Sequence, residues 1–230
     1  MTLHGFQKMT LLDYPGKVAC TVFTGGCNFQ CPFCHNALLV TELDEAETYD
    51  SSEIIEFLKK RKGLLDGVAV TGGEPLVSDE IVDFIRQIKA EGFAVKLDTN
   101  GSFPERLKRI VNEGLVDYVA MDIKNSKELY AETAGLTKID ISKIEESVSF
   151  LLEGNVNYEF RTTVVKQFHT VQSIAAAAEW ISGAKRYFLQ GFIDSGNLIS
   201  GGMSGVDKEE MERMREAASQ FVSNTALRGI

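Results

Sequence analysis

Three cysteines lie within eight residues of one another near the amino terminus. Cys27, Cys31 and Cys34 stand in the segment CNFQCPFC, and no cysteine follows them. Thiolates are ligands for zinc and for iron–sulfur clusters. A zinc site needs four protein ligands, and His35 next to Cys34 would make a cramped set, because adjacent side chains seldom point at one tetrahedral ion. A [4Fe-4S] cluster held by three cysteines instead leaves one iron open to a small ligand.

The fourth cysteine, Cys20, lies apart from this group in an apolar segment that is typical of a strand. A buried thiol in a strand most often serves as a small apolar side chain. Since all four cysteines fall between positions 20 and 34, disulfides could link only a small part of the chain, and a reducing compartment fits better. The spacing Cys-x3-Cys-x2-Cys, in contrast, specifically indicates a cluster with one open iron.

The composition is that of an ordinary globular protein. The 230 residues are 44% apolar and 25% charged, so we expect a single domain over 1–230, with a core at about 16–192 and a last helix at about 207–222. The net charge of -9 and the lack of any run of five basic residues disfavour a nucleic-acid partner. The lack of a long apolar run and of a cleavable leader predicts a soluble, cytoplasmic protein without membrane contact.

Apolar segments of strand length alternate with helical patterns along most of the chain. Four helix starts are marked by capping residues, namely Asp50, Ser78, Pro104 and Thr170. The alternation predicts an α/β fold with parallel strands and with helices outside them. The six predicted strands are 18–25, 67–73, 93–100, 116–124, 158–165 and 186–192.

Polar residues gather at the carboxyl ends of these strands, although strands buried between helices should be almost entirely apolar. Ligand sites of parallel α/β folds form where the loops after the strands converge, so we expect these residues at one rim, beside the cysteine loop. Turn or helix capping could explain any one of them, but it is an insufficient account of all together. The rim comprises Gly72, Gly73, Glu74, Asp98, Thr99, Asn100, Asp122, Lys124, Arg161 and Gln190.

These motifs carry a family resemblance. The segment CNFQCPFC resembles the CxxxCxxC loop of the radical S-adenosylmethionine (SAM) superfamily, and GGEP at 72–75 is similar to its glycine-rich segment. DTNG at 98–101 and MDIK at 121–124 resemble strand ends of the activases of glycyl-radical enzymes. The stretch 13–36 is similar to the activating proteins of anaerobic ribonucleoside-triphosphate reductase. The resemblance covers nearly the whole chain and implies a partial (β/α)6 barrel.

The resemblance also implies two cofactors and the residues that bind them. Three cysteines would hold a [4Fe-4S] cluster, and the amino and carboxylate groups of SAM would chelate its open iron. The cluster ligands would be Cys27, Cys31 and Cys34, and Phe33 would lie against the adenine. The SAM amino group would meet Gly72, Gly73 and Glu74, and its carboxylate and ribose would meet Asp98, Thr99, Asn100 and Asp122. Of these, Asp98, Thr99 and Asp122 match activase positions beside a monovalent cation, and Lys124, Arg161 and Gln190 would complete the site.

Two of these positions keep a second interpretation. A buried structural salt bridge explains Arg161 about as well as a contact to SAM. Gln190 stands where an activase of the pyruvate formate-lyase type is expected to have a histidine, which disfavours that subtype.

By resemblance, the protein is an activase that cleaves SAM reductively and uses the 5'-deoxyadenosyl radical to form a glycyl radical on a partner. Anaerobic ribonucleoside-triphosphate reductase is the first candidate for this partner, and flavodoxin or ferredoxin would donate the electron. One alternative is a radical SAM enzyme acting on a small molecule, similar to a deazapurine synthase. Others are a pyruvate formate-lyase-type activase and a noncatalytic iron–sulfur or zinc module.

Two histidines and two irregular segments remain to be placed. His35 and His169 have no partner identifiable from the sequence, so a loop or surface position is expected for both. The acidic segment 39–50 is predicted as an aperiodic, solvated loop, and the glycine-rich segment 195–205 as a plain loop or a mobile rim.

Overall fold

The computed structural model describes residues 1–194 and 196–230. All six predicted strands are present, within three residues of the expected bounds. Four short strands were not predicted, two before the cysteine loop, one after it and one at the carboxyl end. The strands are β1 Thr2–Leu3, β2 Phe6–Thr10, β3 Ala19–Thr24, β4 Tyr49–Asp50, β5 Gly67–Gly72, β6 Ala94–Thr99, β7 Tyr118–Asp122, β8 Asn157–Val164, β9 Tyr187–Gly191 and β10 Thr225–Arg228.

Eight of these strands form one sheet in the order β10-β9-β8-β7-β6-β5-β3-β2. Strand β2 pairs antiparallel with β3, whereas the other neighbours in the sheet pair in parallel. Strands β1 and β4 form a separate antiparallel pair. The six predicted strands are therefore the parallel centre of the sheet, in chain order, as successive strand–helix–strand units require.

The helices between the strands begin largely where the capping residues predicted. The side chains of Asp50 and Thr170 cap α2 and α7, and α4 begins at Pro104. The cap of α3 is Asp79, although the Ser78 hydroxyl still accepts a hydrogen bond from the helix. The helices are α1 Leu38–Thr41, α2 Ser51–Lys59, α3 Glu80–Ala90, α4 Pro104–Asn112, α5 Tyr130–Thr133, α6 Ile141–Leu152, α7 Val171–Trp180 and α8 Lys208–Ser219.

Two expectations about irregular segments change. The acidic segment 39–50 is not a plain loop, because it contains the end of α1, a 3-10 turn at Leu43–Glu45 and strand β4. Pairing with β1 gives β4 its extended structure. The last helix is shorter than 207–222, and β10 follows it as a further parallel strand. Ser195, the first residue of the segment 195–205, lies outside the described residues.

The sheet is curved, so that its two edges lie on opposite sides of one cavity. This cavity of about 300 Å3 is lined by Leu12 and Asp13 after β2, by Glu159 in β8, and by Arg228 and Gly229 at β10. Inner-face residues of the central strands therefore meet both sheet edges, which is the arrangement of a partial barrel.

Helices cover the outer face of the sheet. Helix α3, for example, completely or almost completely buries Ile81, Phe84, Ile85 and Ile88. Burying a side chain of this size stabilises the fold by about 1.5–3 kcal/mol. Among the described residues, no helix combines the length and the apolar character needed to cross a membrane.

Candidate active site

The cysteine loop follows β3 and is held in place by its backbone. The Gln30 amide donates to the Ala134 carbonyl at 3.0 Å, and the Ser200 amide donates to the Pro32 carbonyl at 2.9 Å. Gly135, at a positive φ of 69°, packs so closely that a Cβ there would collide with the Gln30 carbonyl. Because distant segments fix the loop, its three thiols have a defined position before any ligand binds.

The three thiols are free and largely shielded from water. Burial raises the pKa of Cys27 to about 12 and also raises the pKa values of Cys31 and Cys34, while nearby Lys124 acts in the opposite direction. The amide of Phe29 donates to the Cys27 sulfur at 3.3 Å. A cationic partner is thus needed to hold these thiols as thiolates, and iron supplies one.

Cys20 differs from these three cysteines in its surroundings. It lies inside β3 with no solvent exposure, and burial raises its pKa to about 12. It packs within the apolar core, as the sequence predicted for a small apolar side chain.

One cavity of about 250 Å3 brings the predicted residues together. The carboxyl ends of the central strands form its floor, and the cysteine loop forms a wall. The predicted residues that line it are Cys27, Cys31, Phe33, Cys34, Gly72, Gly73, Glu74, Asp98, Thr99, Asn100, Asp122, Lys124, Arg161 and Gln190. This set includes every site residue that the sequence suggested, although lining a cavity does not by itself assign a role.

The glycines after β5 let this strand end approach the cysteine loop. Gly72 has a φ of 123°, which side-chain-bearing residues rarely adopt. A Cβ at Gly72 would collide with the backbone of Thr24, and a Cβ at Gly73 would collide with the carbonyl of Gly26. The Asn36 side chain also donates to the Gly72 carbonyl at 2.9 Å. Larger residues would therefore push the two segments apart.

Glu74 joins the end of β5 to the end of β6. Its buried carboxylate accepts hydrogen bonds from the Leu76 amide at 3.0 Å, the Thr99 hydroxyl at 2.8 Å and the Asn100 amide at 2.6 Å. Burial raises the pKa of Glu74 to about 7, although these hydrogen bonds oppose the change. A ligand cation such as an ammonium group would stabilise its charged form.

Five charged side chains form a row across the inner face of β6, β7 and β8, which we call the charge row. Its members alternate in sign in the order Lys96, Asp98, Arg161, Asp122 and Lys124. Lys96 pairs with one oxygen of Asp98, and Arg161 pairs with the other at 3.2 Å. Arg161 also pairs with Asp122 at 2.9 Å, and Lys124 pairs with Asp122 at 3.0 Å.

The charge row carries one more positive than negative charge. Burial would raise the pKa of Asp122, but Lys124 and Arg161 outweigh it and lower this pKa to about 2. Burial would lower the pKa of Lys124, but Asp122 and Cys31 outweigh it and raise this pKa. Asp122 and Lys124 are therefore charged near neutral pH, and the positive charge of Lys124 lies beside the cysteines.

Arg161 and Lys96 differ in how far the sequence predicted their roles in the charge row. Arg161 forms the salt bridges that one interpretation of the sequence predicted, because it pairs with both Asp98 and Asp122. It also lines the cavity, as a contact to a ligand would require. Lys96 was missed. Its signal was present in the sequence, since a lysine inside an apolar strand and two residues before Asp98 must share the face of that aspartate.

Aromatic side chains form another wall of the site. Phe33 is buried, with its ring centroid 5.7 Å from that of Phe168 and 6.5 Å from that of Phe192. His35 stacks on Phe192 at 5.2 Å, and its Nε2 lies 2.8 Å from the Ile193 carbonyl. His35 is thus an exposed loop residue, as expected, but it has partners that the sequence did not reveal.

His169 lies in a loop but not at the surface. It is buried, its Nδ1 accepts from the Val165 amide at 3.0 Å, and its Nε2 donates to the Lys124 carbonyl at 2.8 Å. Burial lowers the pKa of His169, so the neutral ring that this bonding pattern requires is favoured. The expectation of a surface role was wrong, and the residue supports the backbone of the charge row.

The donor set fits an iron–sulfur cluster. Cys31 is buried in the same apolar cluster as Phe29 and Phe33, and Cys27 and Cys34 are partly buried against that cluster. The Asn100 side chain reaches the Cys27 sulfur at 3.9 Å. Over residues 1–194 and 196–230, no three His, Cys, Asp or Glu side chains converge as they would on one metal ion. Thiolates in a [4Fe-4S] cluster bind different iron atoms, so a cluster does not require such convergence.

Comparison with known proteins identifies the family. The model of the radical SAM superfamily matches residues 21–218, which include the cysteine loop and the strands of the cavity. The chain belongs to the radical SAM superfamily. Membership implies a [4Fe-4S] cluster and SAM as cofactors, and it makes the protein a radical SAM enzyme.

Two relatives show which radical SAM enzymes the chain is similar to. A protein of Methanocaldococcus jannaschii, named as a glycyl-radical enzyme activating enzyme, is 29% identical over 99% of this chain and 96% of its own length. A pyruvate formate-lyase-activating enzyme of Listeria monocytogenes is 31% identical, over 53% of this chain and 52% of its own length.

A solved structure supports the radical SAM fold. Streptococcus suis SuiB bound to S-adenosylmethionine superimposes with a TM-score of 0.69 over 89% of this chain and 48% of that chain. The identity is 14%, so this likeness concerns the fold alone. It agrees with the α/β architecture of parallel strands and outer helices that the sequence predicted.

Proposed function

We propose that the protein is an activase that cleaves SAM reductively and generates a glycyl radical on a partner protein. The observation that carries this proposal is the meeting of the three thiols with four members of the charge row, Asp98, Arg161, Asp122 and Lys124, in one cavity. A full-length relative named as a glycyl-radical enzyme activating enzyme supports the activase assignment. When bound, the cluster and SAM supply one-electron cleavage of a sulfonium carbon bond and a radical that removes hydrogen.

The chain's own residues would position SAM in this proposal. Cys27, Cys31 and Cys34 would hold the cluster at the cavity that they line. The backbone at Gly73 leaves room for the SAM amino group, and Glu74 supplies a matching negative charge. This arrangement fixes one end of SAM beside the thiols.

Cationic, acidic and aromatic side chains of the cavity match the carboxylate, ribose and adenine of SAM. Lys124 and Arg161 would face the SAM carboxylate or ribose oxygens, because both cationic side chains line the cavity. Asp98, Asp122, Thr99, Asn100 and Gln190 complete this polar floor. Phe33 offers an aromatic face to the adenine. Holding SAM in one orientation directs the radical at its target and away from solvent.

The proposed partner is anaerobic ribonucleoside-triphosphate reductase, with flavodoxin or ferredoxin as electron donor. The similarity of 13–36 to the activating proteins of that reductase supports this choice. Gln190, in place of a histidine, disfavours a pyruvate formate-lyase partner. A protein partner whose reacting group is a glycine Cα–H would not require an acid–base pair in this chain.

Anaerobic reconstitution tests the SAM chemistry. The protein is loaded with iron and sulfide, reduced with dithionite and incubated with SAM, and 5'-deoxyadenosine is measured by chromatography. We expect its formation in the wild type and in Cys20→Ala, but not in Cys31→Ala. An intact cluster by absorption and Mössbauer spectroscopy without any 5'-deoxyadenosine would refute the proposed function.

Electron paramagnetic resonance tests the partner. The reduced, SAM-loaded protein is mixed with candidate reductases and lyases, and each mixture is searched for a glycyl radical. We expect the signal with the reductase and its loss when the radical glycine of that reductase is replaced by alanine. Formation of 5'-deoxyadenosine without a glycyl radical on any candidate, but stimulated by a purine-like metabolite, would favour the small-molecule alternative.

A further inference from the structure

Lys96 is a buried lysine inside the sheet, beneath the cavity that holds the cysteines. Its side chain is 3% exposed, and its ammonium group pairs with Asp98 two residues later in β6. Residues two apart in a strand face the same side, so Lys96 reaches Asp98 from the inner face. Lys96 lines the second cavity, whereas Asp98 and Arg161 line both cavities. Lys96 therefore approaches the Asp98 carboxylate from the side away from the cysteines.

All four carboxylate oxygens of the charge row already have a cationic partner from the chain. Asp98 is bonded by Lys96 and by Arg161 at 3.2 Å. Asp122 is bonded by Arg161 at 3.0 Å and by Lys124 at 3.0 Å. The resemblance to activases implies a monovalent cation beside Asp98, Thr99 and Asp122, and such an ion would need these oxygens as ligands.

The residues present do not fit an added monovalent cation. An ion between Asp98 and Asp122 would compete with the hydrogen bonds of Arg161 and would lie close to three positive side chains. Like charges at such distances repel strongly where water is excluded. A buried ammonium group, in contrast, neutralises one Asp98 oxygen without adding a further ion.

We propose that the ammonium group of Lys96 takes the place of that monovalent cation. SAM binding by this chain is then independent of Na+ and K+, and Lys96 is a positioning residue that acts through Asp98. The inference rests on the proposed SAM site, but the lysine–aspartate pair exists without SAM and is testable without it.

Ligand binding and melting experiments in matched salts test the inference. SAM affinity of the reconstituted protein is measured by calorimetry in NaCl, KCl and choline chloride at equal ionic strength. Melting of the cluster-free protein is measured in the same three salts. Choline is too large to replace a bound ion, so its salt is the reference. For the wild type we expect SAM Kd values within about twofold of one another and equal melting temperatures in all three salts, because Lys96 leaves no site for Na+ or K+ to bind.

Lys96→Met removes the ammonium group and keeps the length of the side chain. We expect SAM affinity to fall by about tenfold or more in choline chloride, because the Asp98 carboxylate loses a partner. Na+ or K+ should recover most of this loss and raise the melting temperature of the cluster-free variant. Lys96→Arg, which keeps a positive charge, should remain indifferent to the cation.

Control variants separate this effect from a general loss of charge or fold. Lys62→Met removes an exposed lysine that pairs with Glu91, and it should behave as the wild type in every salt. If Lys96→Met does not fold, the double variant Lys96→Met with Asp98→Asn removes both charges. That protein should fold and should show no cation response.

Two results would overturn the inference. One is a wild-type protein whose SAM affinity is severalfold higher, or whose melting temperature is several degrees higher, in Na+ or K+ than in choline. The other is a Lys96→Met protein with unchanged SAM affinity and no cation response. If the wild type binds no SAM in any salt, the proposed function fails, while the melting experiment still decides the role of Lys96.

Discussion

The inner face of the sheet holds two groups of ion pairs that differ in how their charges are balanced. The charge row, Lys96, Asp98, Arg161, Asp122 and Lys124, lies towards the carboxyl ends of the strands. A second group consists of Glu159 and Tyr118, near the amino ends of β8 and β7, and of Arg228, which reaches them from β10; we call it the closed cluster. There Arg228 donates to both Glu159 oxygens, at 2.6 and 2.9 Å, and the Tyr118 hydroxyl donates at 2.7 Å.

The closed cluster is electrically complete, and the charge row is not. One carboxylate and one guanidinium cancel in the closed cluster, and the carboxylate has three donors. Three cations and two carboxylates in the charge row leave one positive charge, beside three thiols and an open cavity. Lys124, at the end of the charge row, has one carboxylate partner and lines the open cavity, so it offers a place for an anionic ligand group. The comparison thus separates ion pairs that support the fold from those that await a ligand.

The largest expected effect concerns the cysteines. Cys27→Ala, Cys31→Ala and Cys34→Ala should each lose the cluster, because a substrate-binding cluster has no spare thiolate ligand in this chain. Iron content and 5'-deoxyadenosine formation should fall to background. Cys20→Ala serves as the matched control, because Cys20 lies in the core, and it should retain both. Loss of the cluster in Cys20→Ala, or its retention in Cys31→Ala, would contradict the ligand assignment.

The next effect tests the surplus charge of the charge row. Lys124→Met should weaken SAM binding by about 10- to 100-fold while the iron content stays the same, because Lys124 has no role in holding the cluster. Calorimetry on the reconstituted protein measures the affinity. Lys124→Arg keeps the charge and should recover part of the loss. An unchanged SAM affinity in Lys124→Met would mean that the surplus charge serves another group.

The sequence could place the suggested residues at one rim because their signals are local. A strand end needs only a few consecutive residues to show itself, as with Gly72 and Gly73 or with Asp98 and Thr99, and parallel pairing places such ends at one rim. The cysteine spacing is equally local. Every residue suggested for the cavity therefore lines it.

The closed cluster could not be predicted in the same way. Its members lie 41 and 69 residues apart, and Arg228 reaches Glu159 only because β10 joins the sheet after α8. Strand β10 has four residues and no distinctive alternation, so pairing with β9 decides its structure. The partners of Lys96 and His169 were missed for a related reason, because a polar residue in a core reveals its partner only in three dimensions.

A smaller effect distinguishes the closed cluster from the charge row. Arg228→Met leaves the Tyr118 hydroxyl as the remaining hydrogen-bond donor to the buried Glu159 carboxylate. It should cost about 2–3 kcal/mol in the free energy of unfolding, less than the loss of a fully buried pair, because Arg228 is partly exposed and Arg161 lies nearby. SAM affinity should stay within about twofold of wild type. Urea denaturation of the cluster-free protein and calorimetry of the loaded protein measure the two quantities.

A surface pair provides the matched control for this variant. Arg213→Met in α8 removes an exposed arginine that pairs with Glu209 and Glu210, and its free energy of unfolding should stay close to that of the wild type, because solvent screens exposed ion pairs. If Arg228→Met weakened SAM binding as strongly as Lys124→Met does, the division between the two groups of ion pairs would be wrong.

The smallest expected effect is the dependence of stability on pH. Burial would raise the pKa of Glu159, but Arg228 and Tyr118 outweigh it and hold this pKa below its usual value of 4.5. A carboxylate whose pKa is lower in the folded state stabilises the fold fully above its unfolded pKa, and this stabilisation is lost as the pH falls through the folded pKa. Glu159→Gln should therefore flatten the fall in melting temperature below about pH 4.5. A curve parallel to that of the wild type would show that the closed cluster does not depend on the charge of Glu159, and its separation from the charge row would then have to be explained by packing.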